Sequence, residues 1–459
     1  MFAKEVYQSR RERLAKATNG DFLLFLGNKH AAFNYESNEY GFRQDSTFLY
    51  LFGIDEPDYA AVMADGEVTI YADDVDMDDI IWMGPQRSVA DKAAEVGVGK
   101  SKPRKELAAD VARAVAQGRD VHFVPPYRGE TLVELSELTG IATQDVKRRA
   151  SVELVKALVA LRSQKEQCEI EELERHQAIG YNMHVAAMKM AVEGRTEQEI
   201  HAAIDYQSML GGGQVAFPTI CSISGQTLHN HTYGGVLKNG KLLLVDAGSD
   251  SPLHYATDNT RTTPVGGKFT QKQKEIYQIV LNANNAVLNA SAPGVKYLDM
   301  HMLAAKTIAE GLIGVGIMKG NADDIVARGA HAMFFPHGIG HMMGLDVHDM
   351  ESYNELYVGY DDEVKRSSEF GLSSLRLGRR LKPGFVVTDE PGIYFIPELM
   401  DKWESEGKYK DIINYSLLKQ YRDFGGIRLE DDLLITETGC RLLGKRIPIT
   451  IDEVESIQK

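Results

Sequence analysis

The spacing of apolar positions changes character near residue 150. Before it, short apolar runs such as Asp21-Phe22-Leu23-Leu24-Phe25-Leu26-Gly27 and Ala60-Ala61-Val62-Met63 alternate with helical stretches such as Lys105 to Gln117. That alternation predicts an α/β domain over residues 1–150. Residues 151–164 form a helical linker built on the pattern from Ser151 to Arg162. Ser163-Gln164-Lys165-Glu166 reads as a capping box that starts a long helix with apolar Ile170 and Leu173. Gly194 stops it, and Thr196-Glu197-Gln198-Glu199 starts the next.

Strand patterns follow. One runs from Val215 to Ser222, two flank Asn239-Gly240 as a hairpin, and one spans Tyr255 to Val265. The order then repeats: Thr270-Gln271-Lys272-Gln273 opens a helix, Leu298 to Leu312 supplies its partner, and strand runs come at Phe385 to Phe395 and Gly426 to Thr436. Two helix-pair-then-sheet halves over 165–459 predict a duplicated α+β domain with its site between the sheets.

Composition narrows the function classes. A length of 459 residues exceeds one ordinary core. A net charge of -15 argues for a soluble protein and against general nucleic-acid or anionic-membrane binding. Cys168, Cys221 and Cys440 are too scattered for a disulfide framework or a zinc finger, which suits a reducing compartment. The charged N-terminal stretch is unlike a signal peptide, and no run is long and apolar enough to span a bilayer, so a cytoplasmic location is expected.

Five metal-ligand residue types sit on strand-like segments of the second half: Asp246, Asp258, His341, Glu390 and Glu430. Four carboxylates and one imidazole suit a pair of hard divalent cations. Each has a plainer reading. Asp246 before Ala247-Gly248 resembles a turn former, and Glu430 alternating with Arg428 resembles a surface salt bridge. Asp258 in a threonine-rich strand and Glu390 ending an apolar run before Pro391 are harder to dismiss, because an unpaired buried carboxylate is costly. His337, His341 and His348 crowd into twelve residues, in a segment too glycine-rich for a helical zinc motif. Gly211-Gly212-Gly213 lacks a phosphate-loop context and reads as a turn.

Together, Asp246-Ala247-Gly248, Ala256-Thr257-Asp258-Asn259-Thr260-Arg261-Thr262, His337-Gly338-Ile339-Gly340-His341, Gly344-Leu345-Asp346-Val347-His348-Asp349, Glu390-Pro391-Gly392-Ile393-Tyr394 and Gly426-Ile427-Arg428-Leu429-Glu430-Asp431-Asp432 resemble the dinuclear-metal proline peptidases of the aminopeptidase P and prolidase family. Phe42 to Tyr50, with Gly53 and Glu56-Pro57, resembles that family's N-terminal domain. The likeness implies a pita-bread catalytic fold. One departure is a stretch between Asp246 and Asp258 one residue longer than usual, containing Asp250 and His254.

By this resemblance the five residues are metal ligands, with Asp246 and Glu430 touching both ions. The implied cofactors are two divalent ions, Mn²⁺ first, with Zn²⁺ or Co²⁺ as alternatives. Such a pair, roughly 3.5 to 4 Å apart, lowers the pKa of a shared water, and Glu390 would handle the proton. His229, His337 and His348 match the substrate-side histidines; Arg428 and Arg376 match substrate-binding arginines. The implied substrates are proline-containing peptides, with a homodimer or higher oligomer as the assembly. The reaction is removal of an N-terminal residue before proline, as an Xaa-Pro aminopeptidase. Prolidase, an Xaa-Pro dipeptidase, is the alternative, favoured by Gly371 to Arg379 and by the insertion from Ile396 to Phe424. A creatinase-like or non-catalytic protein of this fold is disfavoured by the intact ligand set.

Overall fold

The apolar run Phe22-Leu23-Leu24-Phe25-Leu26 forms β1 (Phe22–Leu26), buried at every position. The structure, a computed structural model, describes residues 1–18 and 22–458, so Asp21, placed at the head of this run, lies outside the described residues. A hairpin of β2 (Ala32–Tyr35) and β3 (Asn38–Glu39) follows, then β4 (Ala60–Ala64), β5 (Glu67–Tyr71), β6 (Ser101–Lys102) and β7 (Val121–His122). Five of these make a mixed sheet in the order β6-β5-β4-β1-β7. Leu107 and Val111 of the amphipathic helix Glu106–Ala116 pack on its apolar face with Phe22, Leu24, Val62 and Tyr71.

The chain divides into two units, Met1–Arg162 with Glu351–Tyr357, and Ser163–Met350 with Val358–Lys459. The helix Val152–Ser163, expected as a linker, therefore joins the first unit by its contacts. So does the returning segment, whose Tyr353 hydroxyl meets Thr47 and accepts from Arg162 Nη1 at 3.2 Å.

In the second unit the helix Gln167–Met190 begins one turn later than the expected box. Ser163 is still in the preceding helix, and the reciprocal cap is Glu166 with Glu169. Thr196–Glu199 and Thr270–Gln273 are capping boxes as expected, opening Glu197–Leu210 and Gln271–Ala290. Each half then contributes a helix pair and a small sheet. The first sheet has β8 (Ile220–Ser222), β9 (Leu242–Ala247) and β10 (Asn259–Pro264), all antiparallel. The second half supplies β11 (Val386–Asp389), the pair β12 (Gly392–Tyr394) and β13 (Gly426–Arg428), then β14 (Asp431–Ile435) and β15 (Cys440–Leu442).

Three sequence expectations need correction. The Val215 run is a strand only from Ile220, because Pro218 cannot donate to a ladder. Asn239-Gly240 is a turn, with Gly240 at φ 82°, but the run before it is no strand and makes only a bridge from Val236 to Thr196. The Gly426–Thr436 run breaks at Leu429–Glu430, where the Glu430 amide bonds instead to the Thr260 carbonyl at 3.0 Å. That last break joins the two sheets.

Candidate active site

The seam between the sheets gathers the acidic residues. Asp246 lies on β9 directly opposite Thr260 of β10, and Thr260 bridges to Glu430 between β13 and β14. Asp258 immediately precedes β10, and Glu390 immediately follows β11. His341 comes alongside β11: its amide donates to Thr388 Oγ1 at 3.1 Å, and its carbonyl accepts the Thr388 amide at 3.0 Å. Glycine makes this approach feasible, since a Cβ on Gly340 would stand 2.1 Å from the Thr388 carbonyl oxygen. The glycine-rich spacing around His341 is thus a packing requirement of the site.

Ligand atoms of Asp258, His341 and Glu430 lie within 4.8 Å of one another, and all three residues are buried. His341 Nδ1 faces the Met342 carbonyl at 3.0 Å and so carries the proton. Its Nε2 lone pair is directed at Asp258 Oδ2, 3.4 Å away, and Glu390 Oε1, 3.9 Å away. Asp246 Oδ1 is buried without a hydrogen-bond partner. Burial pushes Asp258 well above the usual carboxylate range, with Glu430 and Asp246 adding repulsion; burial does the same to Glu430, helped by Asp246 and Glu390. Burial raises Glu390 to about 8. Lone pairs and like charges converging in this way fit divalent cations, for which an oxygen-rich anionic set with one imidazole is suitable.

These groups open onto a cavity of about 380 Å³ whose lining includes His229, Asp246, His337, His341, His348, Arg376, Glu390 and Arg428. His348 packs edge-on against His341, ring centroids 4.3 Å apart. Burial, then the charge of Arg428, holds the His229 imidazole below its ordinary pKa and so favours its neutral form. His337 is pushed down to about 3 by the same two causes. Both His337 nitrogens are engaged, Nδ1 with the Gly338 carbonyl at 2.8 Å and Nε2 with the Tyr394 hydroxyl at 2.8 Å.

Arg428, expected to contact substrate, is 3% exposed and spends its donors inside the protein. Nη2 donates to Asp246 Oδ2 at 2.6 Å, Nη1 to the Tyr394 hydroxyl at 2.9 Å, and Nε to Thr260 Oγ1 at 3.1 Å. Thr260 Oγ1 in turn donates to Glu430 Oε2 at 2.6 Å. The motifs contain Tyr394 and Thr260 without pointing to a role for either. The register pairs Gly392 with Arg428, so strand alternation puts Tyr394 on the arginine's face, a signal that requires knowing β12 pairs with β13. Asp432, also without an expected role, accepts the Asp258 amide at 3.0 Å and a bond from Gln177.

A buried acidic and imidazole centre at the seam of a duplicated α+β unit defines a metallopeptidase class of site. Residues 171–437 match the metallopeptidase family M24, and residues 7–122 match the aminopeptidase P N-terminal domain. The chain belongs to metallopeptidase family M24 and carries that N-terminal domain ahead of a pita-bread catalytic unit. It is 33% identical over 431 residues to the Xaa-Pro dipeptidase of Homo sapiens, covering 90% of this chain and 84% of that protein. A probable Xaa-Pro aminopeptidase of Fusarium vanettenii is 30% identical over 464 residues, with 99% and 95% covered. Aminopeptidase PepP of Pseudomonas aeruginosa superimposes with TM-score 0.83 at 26% identity, covering 100% of this chain and 98% of that one. Among the described residues no helix is long and apolar enough to cross a membrane.

Proposed function

We propose that this chain is an Xaa-Pro exopeptidase dependent on two divalent ions, manganese in the cell. The observation that carries the reading is the convergence of Asp258, His341 and Glu430 with Asp246 and Glu390 at one cavity wall. Asp246, Asp258, His341, Glu390 and Glu430 would hold the ions. When bound, such ions lower the pKa of a water and polarise the scissile carbonyl.

The chain's own groups do the rest. The Glu390 carboxylate takes the proton of the attacking water and delivers it to the leaving proline nitrogen, which has no N–H of its own in the substrate. His229 and His348, lining the same cavity, would stabilise the carbonyl oxygen as negative charge develops. Burial and the charge of Arg428 keep His337 neutral, and Tyr394 and Gly338 anchor its two nitrogens, so its ring edge would present an uncharged surface to the proline side. Arg428 acts in this reading as a brace on Asp246.

The length of substrate separates two readings. The family motifs favour an aminopeptidase that leaves the chain beyond proline open. Arg376 lining the cavity, close enough to act electrostatically on Glu390, supports the dipeptidase alternative. A guanidinium at that position would grip the free carboxylate of a dipeptide, a bidentate task suited to arginine. Cleavage of Gly-Pro, Ala-Pro, Ala-Ala and an Ala-Pro-Ala tripeptide, followed by chromatography with and without added Mn²⁺, tests the proposal. Preference for proline and dependence on metal support it; equal rates on Ala-Pro and Ala-Ala would refute the proline specificity.

A further inference from the structure

Glu197 heads the helix Glu197–Leu210 and is 3% exposed. Its Oε1 accepts the backbone N–H of Ile223 at 2.8 Å and the Ser222 hydroxyl at 3.2 Å. Its Oε2 accepts the backbone N–H of Gly235 at 2.8 Å. Its own amide donates to the Gly235 carbonyl at 2.9 Å. Ile223 and Gly235 are the two stems of the loop that carries His229 into the cavity. The ties continue inward, because Asn230, next to His229, donates from Nδ2 to Ser222 Oγ at 2.9 Å.

The choice of a carboxylate here has a physical reason. Two peptide N–H groups converge on one side chain, so both of its terminal atoms must be acceptors. Glutamine offers one acceptor and one donor, and its NH₂ would face an N–H. Burying a carboxylate is costly and is offset here by charge-assisted bonds on both oxygens. The approach is close: a Cβ on Gly235 would stand 2.6 Å from the Glu197 carboxyl carbon.

We propose that Glu197 is a positioning residue that clamps both stems of the 223–235 loop and thereby fixes the His229 imidazole at the cavity wall. The proposal rests on His229 acting at the substrate, as read above. The test is a double-mutant cycle on the metal-loaded full chain with an Xaa-Pro dipeptide, using Glu197→Gln, His229→Ala and the double variant. Glu197→Gln is expected to lose roughly ten- to hundredfold in kcat, the scale of an ångström-sized misplacement. Bound metal should be unchanged, and amide exchange at Ile223 and Gly235 should accelerate in the metal-free protein. In the His229→Ala background the same substitution should cost nothing further. Gly235→Ala, which drives a methyl group into the carboxylate, should reproduce the loss and serves if Glu197→Gln does not fold. Equal losses in both backgrounds, or full activity in Glu197→Gln and Gly235→Ala while His229→Ala is impaired, overturn the clamp alone. Full activity in His229→Ala overturns the His229 reading and the clamp with it.

Discussion

Arg428 Nη2 meets Asp246 Oδ2 at 2.6 Å, a cationic contact at the edge of a cluster of four carboxylates. The pair is nearly dry, with side chains 4% and 13% exposed. Because Arg428 also bonds Tyr394 and, through Thr260, reaches Glu430, one guanidinium orients residues from both sheets. It sets Asp246 so that one oxygen is used and Oδ1 is left buried without a hydrogen-bond partner.

Arg428→Ala should therefore damage the centre more than the cavity. Removing one member of a buried pair leaves an uncompensated charge and costs roughly 3–5 kcal/mol. Loss of an orienting partner typically weakens metal affinity by about 10- to 100-fold. Thermal melts and a calorimetric Mn²⁺ titration measure the two effects. Unchanged metal affinity would remove the brace from the account of this site.

Chelation should destabilise the protein as well as silence it. Without ions, Asp246, Asp258, Glu390 and Glu430 confront one another in a buried seam, and burial and mutual repulsion already disfavour the charged forms of Asp258 and Glu430. An ion at a hundredfold excess over Kd contributes about 2.7 kcal/mol to the folded state. The melting temperature should fall on chelation and recover with Mn²⁺. Glu390→Ala should stay folded with turnover abolished, and a metal-free preparation retaining full activity would end the metallopeptidase mechanism for this chain.

Local chemistry in the sequence located most of the pieces. Pro391 after Glu390 and Gly248 after Asp246 mark strand ends, and both carboxylates do sit at strand ends. What adjacency could not supply was which distant segments meet. Glu430 is reached through Thr260, and Arg428 turns away from a neighbouring glutamate to Asp246. The Asn239-Gly240 turn has the chemistry of a hairpin, yet the segment before it is tied to Glu197 and Thr196 and cannot pair as a strand. Ser163 fits a capping box by spacing, but helix continuity from Val152 claims it, and Glu166 caps instead.

A buried histidine pair sets an acid limit on stability. His301 is fully buried, and neither ring nitrogen has a hydrogen-bond partner; His331, buried beside it, has only a weak backbone contact with Ile325. Burial pushes His301 down to about 3 and His331 to about 4. Both are neutral in the fold and bind protons once unfolded. Their contribution is whole above the unfolded pKa of about 6.5 and is lost as pH falls towards 4 and then 3. His301 stacks on Phe335 at 5.1 Å, so His301→Phe keeps the aromatic contact and removes two unsatisfied nitrogens. Melting temperature recorded from pH 7 to pH 4 should fall less steeply in this variant. Parallel slopes would show that other groups carry the acid sensitivity.

Under the dipeptidase reading, Arg376 would set the length of substrate. Its side chain lines the cavity that holds Glu390 and His337 and acts electrostatically on Glu390, which under that reading would let it meet a substrate carboxylate. If it reads a free carboxylate, Arg376→Ala should weaken cleavage of Gly-Pro by roughly 2 to 5 kcal/mol, the cost of leaving the partner charge unpaired. The loss should fall mainly on KM, because the carboxylate is held alike in ground and transition states. Tripeptides and longer chains have no carboxylate at that distance and should gain relative to dipeptides in the variant. Wild-type enzyme that cleaves long peptides well and dipeptides poorly, with Arg376→Ala indistinguishable from it, would return the assignment to an aminopeptidase.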